Sequence, residues 1–189
     1  ALAQRRKTGV PPFTVLCCDN LPENGVFLRR GVIDFANHID KQLGHWIATN
    51  VAFPSTMVDR ITPATTPTTL SDAKKLIGLV DLAAIETEPF SQWVIEDHFP
   101  TGRPAWNAGG ALFVDNVEPY ENMKLRMLNG AHSMLAYSGF LSGRKLVSEV
   151  MQDPDLAKLV RRHILAAAGT LDALPGVDFD DYADSLVQR

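Results

Sequence analysis

The sequence lacks several features that would place it in a common functional class. No apolar run approaches the roughly 18 residues that a membrane-spanning helix needs. The net charge is −4, and no basic run exceeds two residues beyond Arg5–Lys7, which argues against a nucleic-acid or anionic-membrane surface. The first residues also lack the basic and apolar segments of a secretory signal peptide. We therefore expect neither nucleic acid nor a membrane among the partners.

Cysteine is scarce, because the chain has only Cys17 and Cys18. Adjacent side chains in an extended segment point to opposite faces, which disfavours a structural disulfide between them. With no signal peptide, this predicts a reducing, cytoplasmic setting. Nucleophilic catalysis is also disfavoured, because the sequence has no G-x-S-x-G motif and places no cation near Cys18 to activate its thiol.

Metal and phosphate motifs are missing as well. The five histidines and two cysteines form no C-x-x-C or H-x-x-x-H pair, so no metal site is predicted. No G-x-G-x-x-G stands between a strand and a helix, and Gly109-Gly110 has neither the spacing nor the flanking strand. Both ends of the chain have helical character, and we interpret the chain as an internal fragment of a longer protein.

Apolar patterns divide the chain near residue 117. Strands are predicted at Phe13–Cys18, Val51–Phe53, Phe90–Ile95 and Leu112–Val114. The first is a continuous apolar run, typical of a strand buried on both faces of a parallel sheet. From about residue 118 onward every pattern is helical, with Pro119 suited to a first turn. The sequence therefore predicts an α/β region over 1–117 and an all-helical region over 118–189.

Polar residues interrupt the segment MKLRMLNGAHSML, which otherwise has the pattern of a packed helix. At about 100° per residue, Lys124, Asn129 and His132 fall within an arc of about 140°, with Glu121 on the flank. An Asn-Gly pair inside a helix costs on the order of 1 kcal/mol relative to alanines, which indicates a packing or functional reason. The alternative explanation is a solvated face on which Glu121 pairs with Lys124.

These residue types suit proton abstraction from an alcohol. A buried amine loses its proton more easily because a low dielectric disfavours the charged form, and a general base at neutral pH needs this property. An asparagine amide such as that of Asn129 can donate to an oxygen that gains negative charge. A histidine such as His132 can bond to the same oxygen or orient the substrate.

Further candidate residues lie earlier in the sequence than this segment. Asn20 follows the first predicted strand, and open α/β sheets bind ligands at the carboxyl ends of such strands. An Asx-turn that closes the strand is the competing explanation for Asn20. Asp59 and Arg60 could equally form a plain ion pair.

The residues of this segment fit a known signature, because Lys124-x-x-x-x-Asn129-x-x-His132 resembles that of the mannitol dehydrogenase family, the polyol-specific long-chain dehydrogenases. Further blocks look like family blocks in family order: Cys18–Gly25, Phe53–Ile61, Glu88–Asp97, Gly102–Pro104 and Pro119–Gly130. Several long blocks in order are a far stronger signal than one short motif.

The resemblance implies an oxidoreductase that uses NAD or NADP, without a metal, to interconvert a sugar alcohol or aldonate and its ketose. It makes residues 1–117 the later part of a Rossmann-type dinucleotide-binding domain without its Gly-rich loop. Residues 118–189 become the start of a mainly helical substrate domain. It further implies a small-molecule polyol or ketose partner and a monomer or weak oligomer. Because the phosphate-binding turn is missing, we expect activity in the full-length protein and little in the fragment.

The resemblance also assigns roles to individual residues. Lys124 would be the general base in oxidation, and Asn129 and Asn20 would together stabilise the oxyanion. His132 would bind the reacting oxygen or a neighbouring hydroxyl. The remaining assignments concern the substrate and its protons: Asp59 and Arg60 would bind substrate, and Glu121 would relay protons.

Several alternatives remain open at this point. Mannitol with fructose and mannonate with fructuronate both fit, and the lack of an obvious carboxylate-binding cation favours the first. The choice between NAD and NADP is open as well. In a different class, residues 118–189 would be a non-catalytic helical interaction module. A cleft shared by Lys124, His132 and Asn20 would favour the enzyme, whereas Lys124 in solvent would favour the module.

Overall fold

The structure is a computed structural model that describes residues 1–189. Helices and strands follow one another in this order: α1 Leu2–Thr8, α2 Asn24–Ile39, α3 Lys41–Asn50, β1 Thr56–Asp59, α4 Pro67–Ile77, β2 Gln92–Glu96, a 3-10 turn Trp106–Gly109, β3 Leu112–Val114, α5 Glu118–Met123, a π-helical turn Lys124–Asn129, α6 Gly130–Leu141, α7 Val147–Met151, α8 Pro154–Ala168 and α9 Phe179–Gln188.

One small sheet joins the three strands in the order β1-β2-β3. Strand β1 runs antiparallel to β2, with Thr56 opposite Ile95, and β3 runs parallel to β2, with Leu112 opposite Val94. Both Val94 and Ile95 are fully buried, as expected for a central strand covered on its two faces. The predicted strand Leu112–Val114 is confirmed, and the one predicted at Phe90–Ile95 lies at Gln92–Glu96.

Two predicted strands, Phe13–Cys18 and Val51–Phe53, are wrong. Both segments are extended but belong to no sheet. The only main-chain bond between them runs from the Val15 N–H to the Ala52 carbonyl, at 3.0 Å, and a single bond is not a ladder. The carbonyl of Cys17 instead accepts from side chains, those of Asn24 and Thr56. Polar side chains thus take the place of a neighbouring strand.

From residue 118 onward the chain is helical, and the predicted α/β-then-helical fold is confirmed. The start of helix α8 is fixed by its first residues: Asp153 caps it by accepting from two main-chain N–H groups, and Pro154 occupies the first turn. The helices enclose one apolar core, whose fully or nearly buried members are Met123, Met127, Ala131, Leu135, Val150, Val160, Ile164, Ala168, Tyr182 and Ala183. No helix is long and apolar enough to cross a bilayer.

A small apolar cluster holds the sheet against the first helix of the helical region. Met57 of β1 and Val94 of β2 pack there with Val117 and Tyr120, at the start of α5. Each of the four is at most 6% exposed, so β1 is fixed beside the helix that leads into the π-helical turn. This contact brings residues from distant parts of the sequence to one place.

Candidate functional site

The segment Lys124–Asn129, in which polar residues interrupt the apolar helix pattern, forms a π-helical turn. The helical pattern predicted from residue 118 onward continues through this segment, but six residues, Lys124–Asn129, wind more widely between α5 and α6 than a regular α-helix does. The Gly130 N–H bonds to the Leu125 carbonyl, five residues back. A π-helical turn places residues i and i+5 one above the other, so Lys124 and Asn129 share a face. Such turns occur often at functional sites.

Lys124 and Asn129 line one cleft with Asn20. The cleft has a volume of about 260 Å³, and its walls also include Met57 and Glu121. The Lys124 Nζ donates to the Asn20 Oδ1 at 2.5 Å, although 104 residues separate the two. The amine, two carboxamides and a carboxyl group therefore meet beside β1 in a partly closed cleft. The Lys124–Asn20 contact is a charge-assisted hydrogen bond when the amine is protonated.

Burial changes the protonation of Lys124. The residue is only 8% exposed, and this desolvation lowers the pKa of its amine, with Asp59 opposing the shift and Arg189 adding to it. A lysine on a solvated helix face would not be shifted in this way. The amine therefore gives up its proton at a lower pH than an exposed lysine does.

The lowered pKa predicts a pH-dependent gain in stability for Lys124→Met. Below the folded-state pKa the amine is charged in both the folded and the unfolded chain, and burying that charge destabilises the fold. This penalty disappears as the pH rises from the folded-state pKa toward the ordinary value of 10.5. We expect the free energy of unfolding to rise by about 1 kcal/mol at neutral pH, less at alkaline pH.

Urea denaturation at several pH values measures this difference. Lys158→Met is the matched control, because Lys158 is exposed on α8 and its replacement should change stability by no more than about 0.5 kcal/mol. A Lys124→Met variant that is less stable at neutral pH than at alkaline pH, relative to the unaltered protein, would contradict the prediction.

A buried asparagine, Asn24, fixes the loop that carries Asn20. Its side chain is completely buried at the start of α2. Its Nδ2 donates to the Asp19 carbonyl and to the Thr56 carbonyl, both at 3.0 Å, while its Oδ1 accepts from the Thr56 N–H at 2.9 Å. Asn24 thus ties the Asn20 loop to β1. This role of Asn24 was not predicted, since the local sequence signals it only by an Asn-Gly pair at a helix start.

Glu121 lies in the same cleft as Lys124. Its carboxylate accepts from the Glu23 N–H at 3.2 Å. Desolvation raises the pKa of Glu121, and nearby carboxyl groups add to the shift, whereas the Glu23 hydrogen bond opposes it. The carboxyl group therefore sits at the cleft wall with a raised affinity for a proton.

Asp59 and Arg60 lie apart from the cleft lining. The Asp59 carboxylate is buried and forms a bidentate pair with Arg189, each contact 2.9 Å long. The Tyr182 hydroxyl donates to Asp59 at 3.4 Å. Arg60 is exposed, and its Nε donates to the Glu88 carbonyl. The two residues do not pair with each other, and Arg189 was not anticipated from the sequence.

His132 lies in a different cavity. This second cavity, of about 270 Å³, is lined mostly by apolar residues and also contains Arg189. His132 itself is exposed on α6. Because the π-helical turn advances each residue by a smaller angle than an α-helix does, the arc computed for a regular helix no longer applies. The structure therefore brings together Lys124, Asn129, Asn20 and Glu121, but not His132.

Two family models match successive parts of the chain. The model of the mannitol dehydrogenase Rossmann domain matches residues 1–108, and that of the mannitol dehydrogenase C-terminal domain matches residues 116–189. Between them the two matches account for nearly the whole chain.

Curated relatives cover the entire chain. An uncharacterized oxidoreductase of Escherichia coli K12, YdfI, is 48% identical over 189 residues. The D-mannonate oxidoreductase of the same organism is 47% identical over 190 residues, and the mannitol 2-dehydrogenase of Aspergillus terreus is 44% identical over 193 residues. The chain spans 38–39% of the length of these three proteins.

Solved structures share the fold. The Pseudomonas fluorescens mannitol 2-dehydrogenase, in a ternary complex with NAD and D-mannitol, matches 99% of this chain and 38% of its own, with a TM-score of 0.83 and 44% identity. A D-sorbitol dehydrogenase in substrate-free form matches 98% of this chain and 39% of its own, with a TM-score of 0.91 and 36% identity.

Proposed function

The chain belongs to the mannitol dehydrogenase family, and on this basis we propose that the full-length protein is an NAD(P)-dependent dehydrogenase that oxidises a sugar alcohol to its ketose. The observation that carries the proposal is the buried Lys124 amine, hydrogen-bonded to Asn20 in a cleft that Asn129 also lines. Residues 1–117 would belong to the nucleotide-binding domain and residues 118–189 to the substrate domain.

The chemistry of the cleft fits the reacting end of a nicotinamide cofactor. Leu21, Pro22, Met57 and Val58 give its wall an apolar portion beside the polar groups, and such a surface suits a flat ring. These residues would hold the ring, and NAD or NADP supplies the hydride acceptor when bound.

Lys124 acts as the general base of the proposed reaction. Its neutral Nζ takes the proton of the substrate hydroxyl, the carbinol hydrogen leaves as hydride, and the C–O bond becomes a carbonyl. In reduction the ammonium form returns the proton. The side-chain amides of Asn129 and Asn20 donate to the oxygen while it carries negative charge. Glu121 relays the proton between Lys124 and solvent, and its raised pKa suits that exchange.

The remaining predicted residues act around this centre. His132 would contact a substrate hydroxyl from the neighbouring cavity. Asp59, at the end of β1, and Arg60, in the segment after it, would contribute to substrate binding. The helical-module alternative is disfavoured by the position of Lys124, which is buried in a polar cleft rather than exposed to solvent.

A neutral substrate suits the cleft better than an aldonate. Among the lining residues Lys124 is the only cation, whereas Asp19 and Glu121 supply two acids. Arg189 is engaged by Asp59 and Glu88. The cleft lining therefore offers no second cation to hold an anionic carboxylate.

A substrate panel tests the proposed function directly. Polyols and aldonates are offered to the full-length protein with NAD and with NADP, and nucleotide reduction is followed. We expect a polyol to give the highest kcat/KM, and a clear preference for an aldonate such as mannonate would assign the carboxylate-bearing substrate instead.

Chelation is expected to leave the activity unchanged. The base is an amine and the oxyanion donors are amides, so proton transfer and charge stabilisation need no Lewis acid. The full-length protein is dialysed against EDTA and assayed beside an untreated sample. Loss of activity that a divalent cation restores would contradict a metal-independent mechanism.

A further inference from the structure

Arg189 forms a buried ionic cluster with Asp59, which directly follows Val58 of the Lys124 cleft wall on β1. Its guanidinium makes two bonds of 2.9 Å to the Asp59 carboxylate and pairs with Glu88 as well. The guanidinium Cζ lies over the Phe90 ring, 4.1 Å from its centroid. The Arg189 and Asp59 side chains are only 7% and 2% exposed. The arginine is thus held on three sides, with the bidentate geometry that a guanidinium fork favours.

The charged and titratable groups around Lys124 come from several elements. Glu121 of α5 and Asp19 of the loop before α2 line the same cleft as Lys124. Asp59 of β1 follows Val58 of the cleft wall, and Arg189 and Tyr182, from the α9 end of the chain, bond to its carboxylate. Of these, Asp59 and Arg189 act on the Lys124 amine through charge, in opposite directions. The Asp59 carboxylate would favour the ammonium form, and Arg189 offsets it.

We propose that Arg189 is a positioning residue that holds Asp59 in a closed bidentate pair and so prevents this carboxylate from forming an ion pair with Lys124. The inference rests on the proposed role of Lys124 as the base. A lysine paired with a carboxylate is an ammonium ion, which cannot accept the substrate proton. Arg189 would therefore keep the amine available without touching the substrate.

The buried position of Asp59 makes this device effective. Without Arg189 the carboxylate would lose both of its strongest contacts and would keep only the longer bond from Tyr182. A buried charge without a partner is expensive, and without Arg189 nothing would offset the effect of the Asp59 charge, which favours the ammonium form of Lys124. The base would then stay protonated to a higher pH.

Arg189→Met in the full-length protein tests the inference by two measurements. Competitive acetylation with mass spectrometry gives the pH at which Lys124 loses its proton, and the pH profile of kcat/KM for polyol oxidation gives the pH at which the base becomes active. We expect both to move to higher pH. The activity loss should be several-fold at neutral pH and should shrink at alkaline pH.

Asp59→Asn supplies the opposite change and a rescue. Alone, it removes the carboxylate and should move the Lys124 titration to lower pH. The double variant Asp59→Asn with Arg189→Met lacks both charges, and its Lys124 titration should return toward that of the unaltered protein. The double variant and Asp59→Asn alone keep the inference testable if Arg189→Met alone folds poorly. Arg161→Met is the control, because Arg161 pairs with Asp184 on the surface between α8 and α9, and it should shift neither readout.

Three results would overturn the proposed role of Arg189 or distinguish it from the proposed role of Lys124 as the base. An unshifted Lys124 titration in Arg189→Met, or a shift that Asp59→Asn does not reverse, overturns the role of Arg189. A Lys124 titration that shifts while the pH profile of the activity stays in place supports the device but removes Lys124 as the base. In that case the proposed function fails and the charge coupling stands.

Discussion

Replacing Lys124 by methionine is expected to lower the kcat of polyol oxidation by about 10²–10⁴-fold in the full-length protein, as general acid–base catalysis contributes a factor of that size. Methionine has nearly the length of lysine and fills the same space, so the cleft keeps its shape while the proton acceptor is lost. The carboxamides of Asn20 and Asn129 remain to stabilise the oxyanion, which leaves a residual rate.

Three comparisons make the Lys124→Met result interpretable. Steady-state kinetics separate kcat from KM, and a base that acts in the transition state should affect mainly kcat. The variant should be at least as stable as the unaltered protein at neutral pH, so lost activity could not be ascribed to unfolding. Lys158→Met should retain full activity, because Lys158 is exposed on α8. Retained turnover in Lys124→Met would remove the mechanism.

The sequence predicted four of the residues that line the cleft, Lys124, Asn129, Asn20 and Glu121, but not how they come together. Lys124 and Asn129 could be placed on one segment because a polar pattern interrupts an apolar helix, and Asn20 because it ends an extended run. The π-helical turn could not be predicted, since helix periodicity assumes a constant angle per residue. With that turn, Lys124 and Asn129 line the same cleft, whereas His132 lines the second cavity.

Contacts between distant segments account for the other differences. Arg189 lies 130 residues from Asp59, and nothing in the local pattern of either residue marks the pair. The segments Phe13–Cys18 and Val51–Phe53 have the composition of buried strands, but strand assignment requires a neighbour, and in this chain side chains bond to the Cys17 carbonyl instead. Pairing is a property of the fold rather than of a segment.

Asn24→Ala is expected to destabilise the protein by about 3 kcal/mol or more and to weaken catalysis at the same time. The substitution leaves the buried Thr56 N–H without its acceptor and removes the Asn24 donor from the Thr56 carbonyl, and each unsatisfied buried group costs roughly 1–3 kcal/mol. The Asp19 carbonyl also loses this donor but keeps its bond from the Leu21 N–H. The loop between Asp19 and Asn24 is then no longer tied to β1, so Asn20 should lose its fixed distance to Lys124.

Urea denaturation and kinetics of the full-length protein together test this link between fold and site. Asn50→Ala is the matched control, because the Asn50 side chain bonds only to the Trp46 carbonyl on an exposed face, and it should change stability by no more than about 0.5 kcal/mol. Under conditions where the Asn24→Ala variant remains folded, a reduced kcat is expected from the misplaced Asn20 amide. A folded variant with unchanged kcat would show that the Asn24 hydrogen bonds serve stability alone.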